Sequence, residues 1–214
     1  MNIIQVYAKY QIMPELARHQ LRVAGVAQTI VQACQERLDE DSIVTACLLH
    51  DMGNILKFDL TRFPEFLQPE GLDYWQQVQL DYQKKYGVDE HEATMMIARE
   101  LKVSDQVLQF IDAIGFSKIE AHYQGKDLAK MICEYADTRV APQGVVSLNE
   151  RLADLAQRYA SHYSTPADVV RRDKNFKLAQ LSEQVIFAVC KLKPEEITEA
   201  SLNDTIFLLK EWQL

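Results

Sequence analysis

The chain has 214 residues, 48% of them hydrophobic and 25% charged, enough apolar material for one substantial core. Its 23 Lys and Arg stand against 31 Asp and Glu, and the resulting net charge of −8 excludes a broad surface for a nucleic-acid polymer or an anionic membrane. No run approaches the ~18 apolar residues of a membrane span, and the first nine residues lack a basic segment leading into an apolar one, so a cytoplasmic protein is expected.

Only 7 Gly and 6 Pro punctuate the sequence and alternating strand patterns are absent, so helical periodicity predicts an all-α fold. The first long helix is expected from Pro14, with His19, Val23, Val26, Ala27, Ile30 and Cys34 on its inner stripe. Asp41 is the expected N-cap of a second helix, whose inner positions Ile43, Ala46, Cys47 and His50 end at Gly53, where the backbone can leave the helix. Residues 54–74, with Pro64, Pro69 and Gly71, read as an irregular excursion suited to covering a site. Helices follow from Trp75 to Tyr86, from near His91 to Leu101 or Lys102, from Ser104 to Ile114, and from about Asp127 to Val140. His122 reads as a loop residue and His162 as a surface one. Met95, Met96 and the stripe Ile3, Tyr7, Tyr10 read as core.

Two capping signatures, Ser147 to Glu150 and Thr165 to Asp168, open the helices of a C-terminal section over about 147–214. Its stripes Leu152, Leu155, Tyr159 and Val185, Val189, Leu192 are expected to pack internally or against another subunit, which leaves room for a homo-oligomer. No repeat divides the chain, which is read as a single domain. The four cysteines, 34, 47, 133 and 190, are irregularly spaced and contain no C-x-x-C, and they read as reduced core residues.

Chemistry concentrates in the run Cys47-Leu48-Leu49-His50-Asp51-Met52-Gly53. Burying an imidazole and a carboxylate beside leucines is unfavourable unless both find partners. Adjacent side chains on a helix diverge by about 100°, so one cation between them can satisfy both. His19, His50, Asp51, His91 and Asp137 together form a series of metal-capable residues on four predicted helices. Mixed imidazole and carboxylate donors suit Mn, Fe, Co, Ni or Zn better than an all-oxygen Mg or Ca site. P-loop, GxGxxG, nucleophile-elbow and zinc-finger spacings are absent.

The text Arg18-His19, Leu48-Leu49-His50-Asp51-Met52-Gly53 and Tyr135-Ala136-Asp137 resembles the HD-domain superfamily of metal-dependent phosphohydrolases over about residues 14–142. The resemblance implies a helical bundle in which these residues converge on one or two divalent ions. His91-Glu92-Ala93-Thr94 resembles the branch that includes symmetrical dinucleoside-tetraphosphate hydrolases. Relatives there carry a further histidine after the next helix. Here that stretch reads Ala113-Ile114-Gly115-Phe116-Ser117-Lys118, with His122 as the nearest substitute.

The implied activity is hydrolysis of a phosphate ester or anhydride, with a small nucleotide as the expected substrate, by metal-activated water. Asp51 would orient the water or take its proton. Of the cations near the series (Arg18, Arg22, Lys57 and Arg139), Arg18 and Lys57 are the candidates to meet a phosphate; Lys57 lies one helical turn beyond the position that carries a lysine in many relatives. Two other functions fit the resemblance: a di-iron oxygenase, and a non-catalytic regulatory protein that binds metal or nucleotide.

Overall fold

The computed structural model describes residues 1–62, 64–160 and 165–214. The chain is all-α: among these residues there are eleven α-helices and one two-stranded hairpin. No helix among them is long and apolar enough to cross a membrane. His162 lies outside the described residues.

Helix α1 (Ile3–Lys9) buries Ile3, Val6 and Tyr7. Helix α2 (Pro14–Ala33) starts at the predicted proline, whose missing N–H costs nothing in a first turn. Cys34 is not on its stripe but just past its end, in extended backbone. Helix α3 (Glu40–Leu49) is capped by Asp39 rather than Asp41: the Asp39 carboxylate accepts the Ser42 N–H at 3.1 Å, and Asp41 sits in the first turn, where its charge faces the positive helix pole. Every residue from Ser42 to Leu49 is buried, as befits a helix enclosed on all sides.

After α3 the chain makes two short 3-10 turns, Asn54–Lys57 and Pro64–Leu67, and enters α4 (Leu72–Tyr86) slightly earlier than predicted. Asp89 and Ser104 cap α5 (Glu90–Glu100) and α6 (Asp105–Ala113). Met95 faces the core on α5 whereas Met96, a third of a turn away, is exposed. His122 lies on a helix, α7 (Ile119–Gly125), and not in a loop; the helix has no side-chain N-cap bond, so no local signal announces it. Helix α8 (Leu128–Thr138), capped by Asp127, runs into the hairpin of β1 (Val140–Ala141) and β2 (Gly144–Val145).

Both predicted capping boxes are formed, at α9 (Leu148–Arg158) and α10 (Pro166–Ala188). The inward stripes differ from expectation. Tyr159 and Val185 are exposed, and α10 turns Ala179, Ser182 and Ile186 inward, one register step away, because α10 packs against α7 and α8 along that face. The last helix, α11 (Asn203–Leu209), and the turn Ala200–Leu202 return to α2.

Helix α2 packs most extensively on α3, and α8 packs on α2, α3 and α6. The three helices carrying His19, His50 and Asp137 are therefore mutual neighbours.

Candidate metal centre

His19 projects from α2, His50 caps the C-terminus of α3 with Asp51 next to it, and Asp137 occupies the last turn of α8. His19 Nε2 lies 3.1 Å from Asp137 Oδ1 and 3.6 Å from Asp51 Oδ2, while His50 Nε2 lies 3.5 Å from each of the same two oxygens. Donor atoms around an ion with bonds of about 2.0–2.2 Å are separated by about 3.0–3.6 Å in octahedral or tetrahedral shells. One ligand atom from each of His19, His50 and Asp51 falls within 4.8 Å of the others, a grouping that could hold a metal ion.

The imidazole of His50 is already oriented. Its Nδ1–H donates to the Cys47 carbonyl at 2.8 Å, which turns Nε2 toward the cluster, where it offers a lone pair once its proton is displaced. That Nε2 is buried and, among the described residues, lies 3.5 Å from each of the two carboxylate oxygens, close enough for attraction but at the far limit of a hydrogen bond. A buried nitrogen without a short hydrogen bond beside two carboxylates fits a cation, which would satisfy all three groups. Below it, the Tyr7 hydroxyl donates to the Leu48 carbonyl at 2.7 Å, so two terminal carbonyls of α3 are satisfied by side chains and the helix end is held in place.

Electrostatics point the same way. Among the described residues, Asp51 and Asp137 pair with imidazoles only, and no Lys or Arg neutralises them. Burial disfavours the His50 cation, but Asp51 and Asp137 outweigh that and raise its pKa to about 9 in the metal-free chain. Burial likewise opposes charge on Asp137, yet His19 and His50 hold it well below the ordinary carboxylate range. One turn earlier on α8, Glu134 is pushed up to about 8, first by burial and also by Asp137; only the hydroxyl of Thr138, donating at 2.9 Å, opposes this. Glu134 is thus neutral near pH 7 and adds no third negative charge.

A pH dependence follows. Below about 9, Nε2 of metal-free His50 carries a proton that an incoming cation must displace. Metal affinity should therefore climb by roughly tenfold per pH unit from pH 7 and flatten above pH 9, as read by competition with a chromogenic chelator. A pH-independent affinity would contradict the assignment of His50 as a ligand. In the metal-free protein the folding stabilisation from the raised imidazole runs the opposite way with pH: present in full below the ordinary histidine value and lost as pH rises through about 9.

One contributor escaped the sequence reading. Gln20, fully buried next to His19, accepts the Asp51 backbone N–H through Oε1 at 3.3 Å, and its Nε2 has no partner. A glutamine interrupting the buried stripe of Leu16, Val23 and Ala27 was the available signal. Gln20→Met keeps the volume but removes the acceptor, and should weaken metal affinity by about 10-fold with little change in Tm. Unchanged affinity would remove Gln20 from the site.

The remaining predicted residues lie elsewhere. His91 does not join the four: its Nε2 is 3.0 Å from Asp112 Oδ1, and Lys118 Nζ reaches the same oxygen at 3.0 Å. Lys118 chiefly, and His91 after it, keep Asp112 below the ordinary carboxylate range. Lys57 is half exposed and stands 3.9 Å from Glu90, while Arg18 extends to Glu15 at the surface. Arg22 forms a double hydrogen bond to Glu199, and Arg139 is buried against the carbonyls of Pro194 and Ile197. His122 donates to the Ala113 carbonyl at 2.8 Å. A cavity of about 310 Å³ opens between Met95, Leu108, Asp112, His122 and Lys130.

A family model described as HD domain matches residues 16–161, a span that contains all four clustered residues. Neither a curated protein nor a solved structure matches the chain.

Proposed function

The chain belongs to the HD-domain family, and we propose that it is a metal-dependent phosphohydrolase acting on a phosphate ester or anhydride, with a small nucleotide as substrate. The observation that carries this reading is the buried Nε2 of His50, without a short hydrogen bond and set between two carboxylates and a second imidazole. His19, His50, Asp51 and Asp137 would hold one divalent ion from the Mn, Fe, Co, Ni, Zn group. Such an ion, when bound, supplies a water of lowered pKa and a positive charge for a phosphoryl oxygen.

The protein's own part is placement. The His50 Nδ1–H bond to Cys47 and the Gln20 bond to the Asp51 backbone fix the donors before substrate arrives. The Asp51 side chain is one-fifth exposed and the Asp137 side chain one-third, so the cluster is reached from solvent. The Asp51 carboxylate would orient an attacking water or take its proton. The cavity lined by Met95, Leu108 and Lys130 supports the nucleotide reading through its apolar walls, which suit a base; the Lys130 ammonium is paired with Asp127 at 3.2 Å. It borders Asp112, the partner of His91, whose helix begins against the turn that follows Asp51.

Elemental analysis of purified protein, followed by a phosphatase and phosphodiesterase screen with several divalent ions, tests the proposal. About one ion per chain with metal-dependent release of phosphate is expected. Two ions per chain would require His91 and Asp112 to open toward the cluster, and iron with oxygen uptake would transfer the chain to oxidative chemistry. Tight nucleotide binding without turnover would make it a regulatory module.

A further inference from the structure

Cys34 and Cys190 face one another where the end of α2 meets the chain leaving α10. The Gln35 N–H donates to the Val189 carbonyl and the Lys191 N–H to the Ala33 carbonyl, each at 2.9 Å. These bonds flank the two cysteines and do not join them, so the pair holds a non-hydrogen-bonded antiparallel position, where Cα atoms stand about 4.5 Å apart and side chains are closest. That separation falls inside the range of about 4.4–6.8 Å that a disulfide spans. The sulfurs are 2.7 Å apart, and both residues are only partly buried, open to a small reagent. The other two cysteines, Cys47 and Cys133, are fully enclosed.

We propose that Cys34 and Cys190 form an oxidation site that reacts with a small-molecule disulfide and closes to an internal disulfide bond. One thiolate attacks the reagent's S–S bond, expels a first small thiol and leaves a mixed disulfide; the second cysteine then attacks the protein-borne sulfur and expels a second small thiol. The two cysteine protons end on the two released thiols, and the electron pair that the cysteines lose reduces the reagent. Burial first, and the contact with Cys190 next, push the Cys34 thiol up to about 12, so exchange is slow near neutral pH. A thiolate so poorly stabilised is also a poor leaving group, and the closed bond resists reduction.

The bond would pin the returning C-terminal segment to α2. Glu199 already grips Arg22 in the middle of that helix, and α11 lies along it; the Cys34–Cys190 link would fasten its far end. Because α2 carries His19, oxidation would tie the segment to the same helix that builds the metal centre.

The test treats purified full-length protein with oxidised glutathione at about pH 8.5, alkylates the remaining thiols and maps the non-reduced peptides. The expected result is a Cys34–Cys190 peptide, two fewer alkylated thiols, and a rise in Tm of about 5–15 °C that dithiothreitol reverses. Cys34→Ser and Cys190→Ser should each abolish the rise; the peptide map of the unsubstituted protein decides the matter if either variant fails to fold. A stable glutathione adduct on either cysteine, a Cys47–Cys133 link instead, or four alkylated thiols after prolonged treatment would overturn the proposal.

Discussion

Asp51→Ala should lower metal-dependent turnover on the order of 10³-fold while the far-UV circular dichroism stays that of the native helical fold. Asp51 matters on three counts: its Oδ2 stands 3.5 Å and 3.6 Å from the two imidazoles, it is one of two carboxylates in the cluster among the described residues, and on the proposed reading it would accept a proton. His50→Gln separates these roles. It preserves much of the volume and sets an amide where Nε2 stood, but gives up the Nδ1–H bond to Cys47 and the imidazole lone pair, so the main readout is metal content, which should fall below one ion per several chains. If both variants turn over substrate as fast as the unsubstituted protein, the cluster is not the active centre. Retained metal in His50→Gln with lost turnover in Asp51→Ala would shift the weight of binding to His19 and Asp137.

Gly53→Ala is expected to be the most damaging single methyl group in the chain. Gly53 has an ordinary right-handed conformation, φ −94°, so the glycine is not there for backbone freedom, contrary to its expected role in letting the chain leave the helix. It is there for space. A Cβ at this position would overlap the Glu90 carbonyl oxygen and lie 2.8 Å from Ala93 Cβ and 2.9 Å from Thr94 N, mostly unyielding backbone. The Gly53 N–H also donates to Thr94 Oγ1 at 2.9 Å. Overpacking of this kind costs about 1–3 kcal/mol, and loss of the hydrogen bond adds about 1 kcal/mol. Tm should fall by roughly 4–16 °C for a domain of this size. Since the turn sits two residues from Asp51, metal affinity should fall with it. Thr94→Val, which adds no overlap but removes both the acceptor for the Gly53 N–H and the donor to the Glu90 carbonyl, should give a smaller drop of the same kind; an unchanged Tm in Gly53→Ala would show that α5 can move away freely.

Local signals were the legible ones. Ser104, Asp127 and the boxes at Ser147 and Thr165 mark helix starts because a cap is chemistry between residues three apart, Pro14 does so because its fixed φ suits a first turn, and all five appear where the sequence puts them. The doublet His50-Asp51 and the inward His19 and Asp137 were readable because polar groups on apolar faces stand out against leucine and alanine. His91 lacked that contrast. It lies among Glu90 and Glu92 at a helix entrance, and its partner Asp112 belongs to a different helix, a contact with no trace in local pattern. Arg139 shows the same limit from the other side: beside Asp137 it stood among the nearby cations from which Arg18 and Lys57 were preferred, and only residues 55 and 58 positions away, which supply the carbonyls around it, reveal that it is buried.

The end-on convergence of α3 and α8 has a further consequence for how the centre assembles. Each helix terminates at the cluster with its carbonyl pole, worth roughly half an elementary charge, and each contributes a carboxylate there. The pocket is thus a negative well before anything enters. It draws in cations and repels phosphoryl groups, so on the proposed reading catalysis is compulsorily ordered: the ion loads first and inverts the local field, and only then does the anionic substrate find an attractive seat.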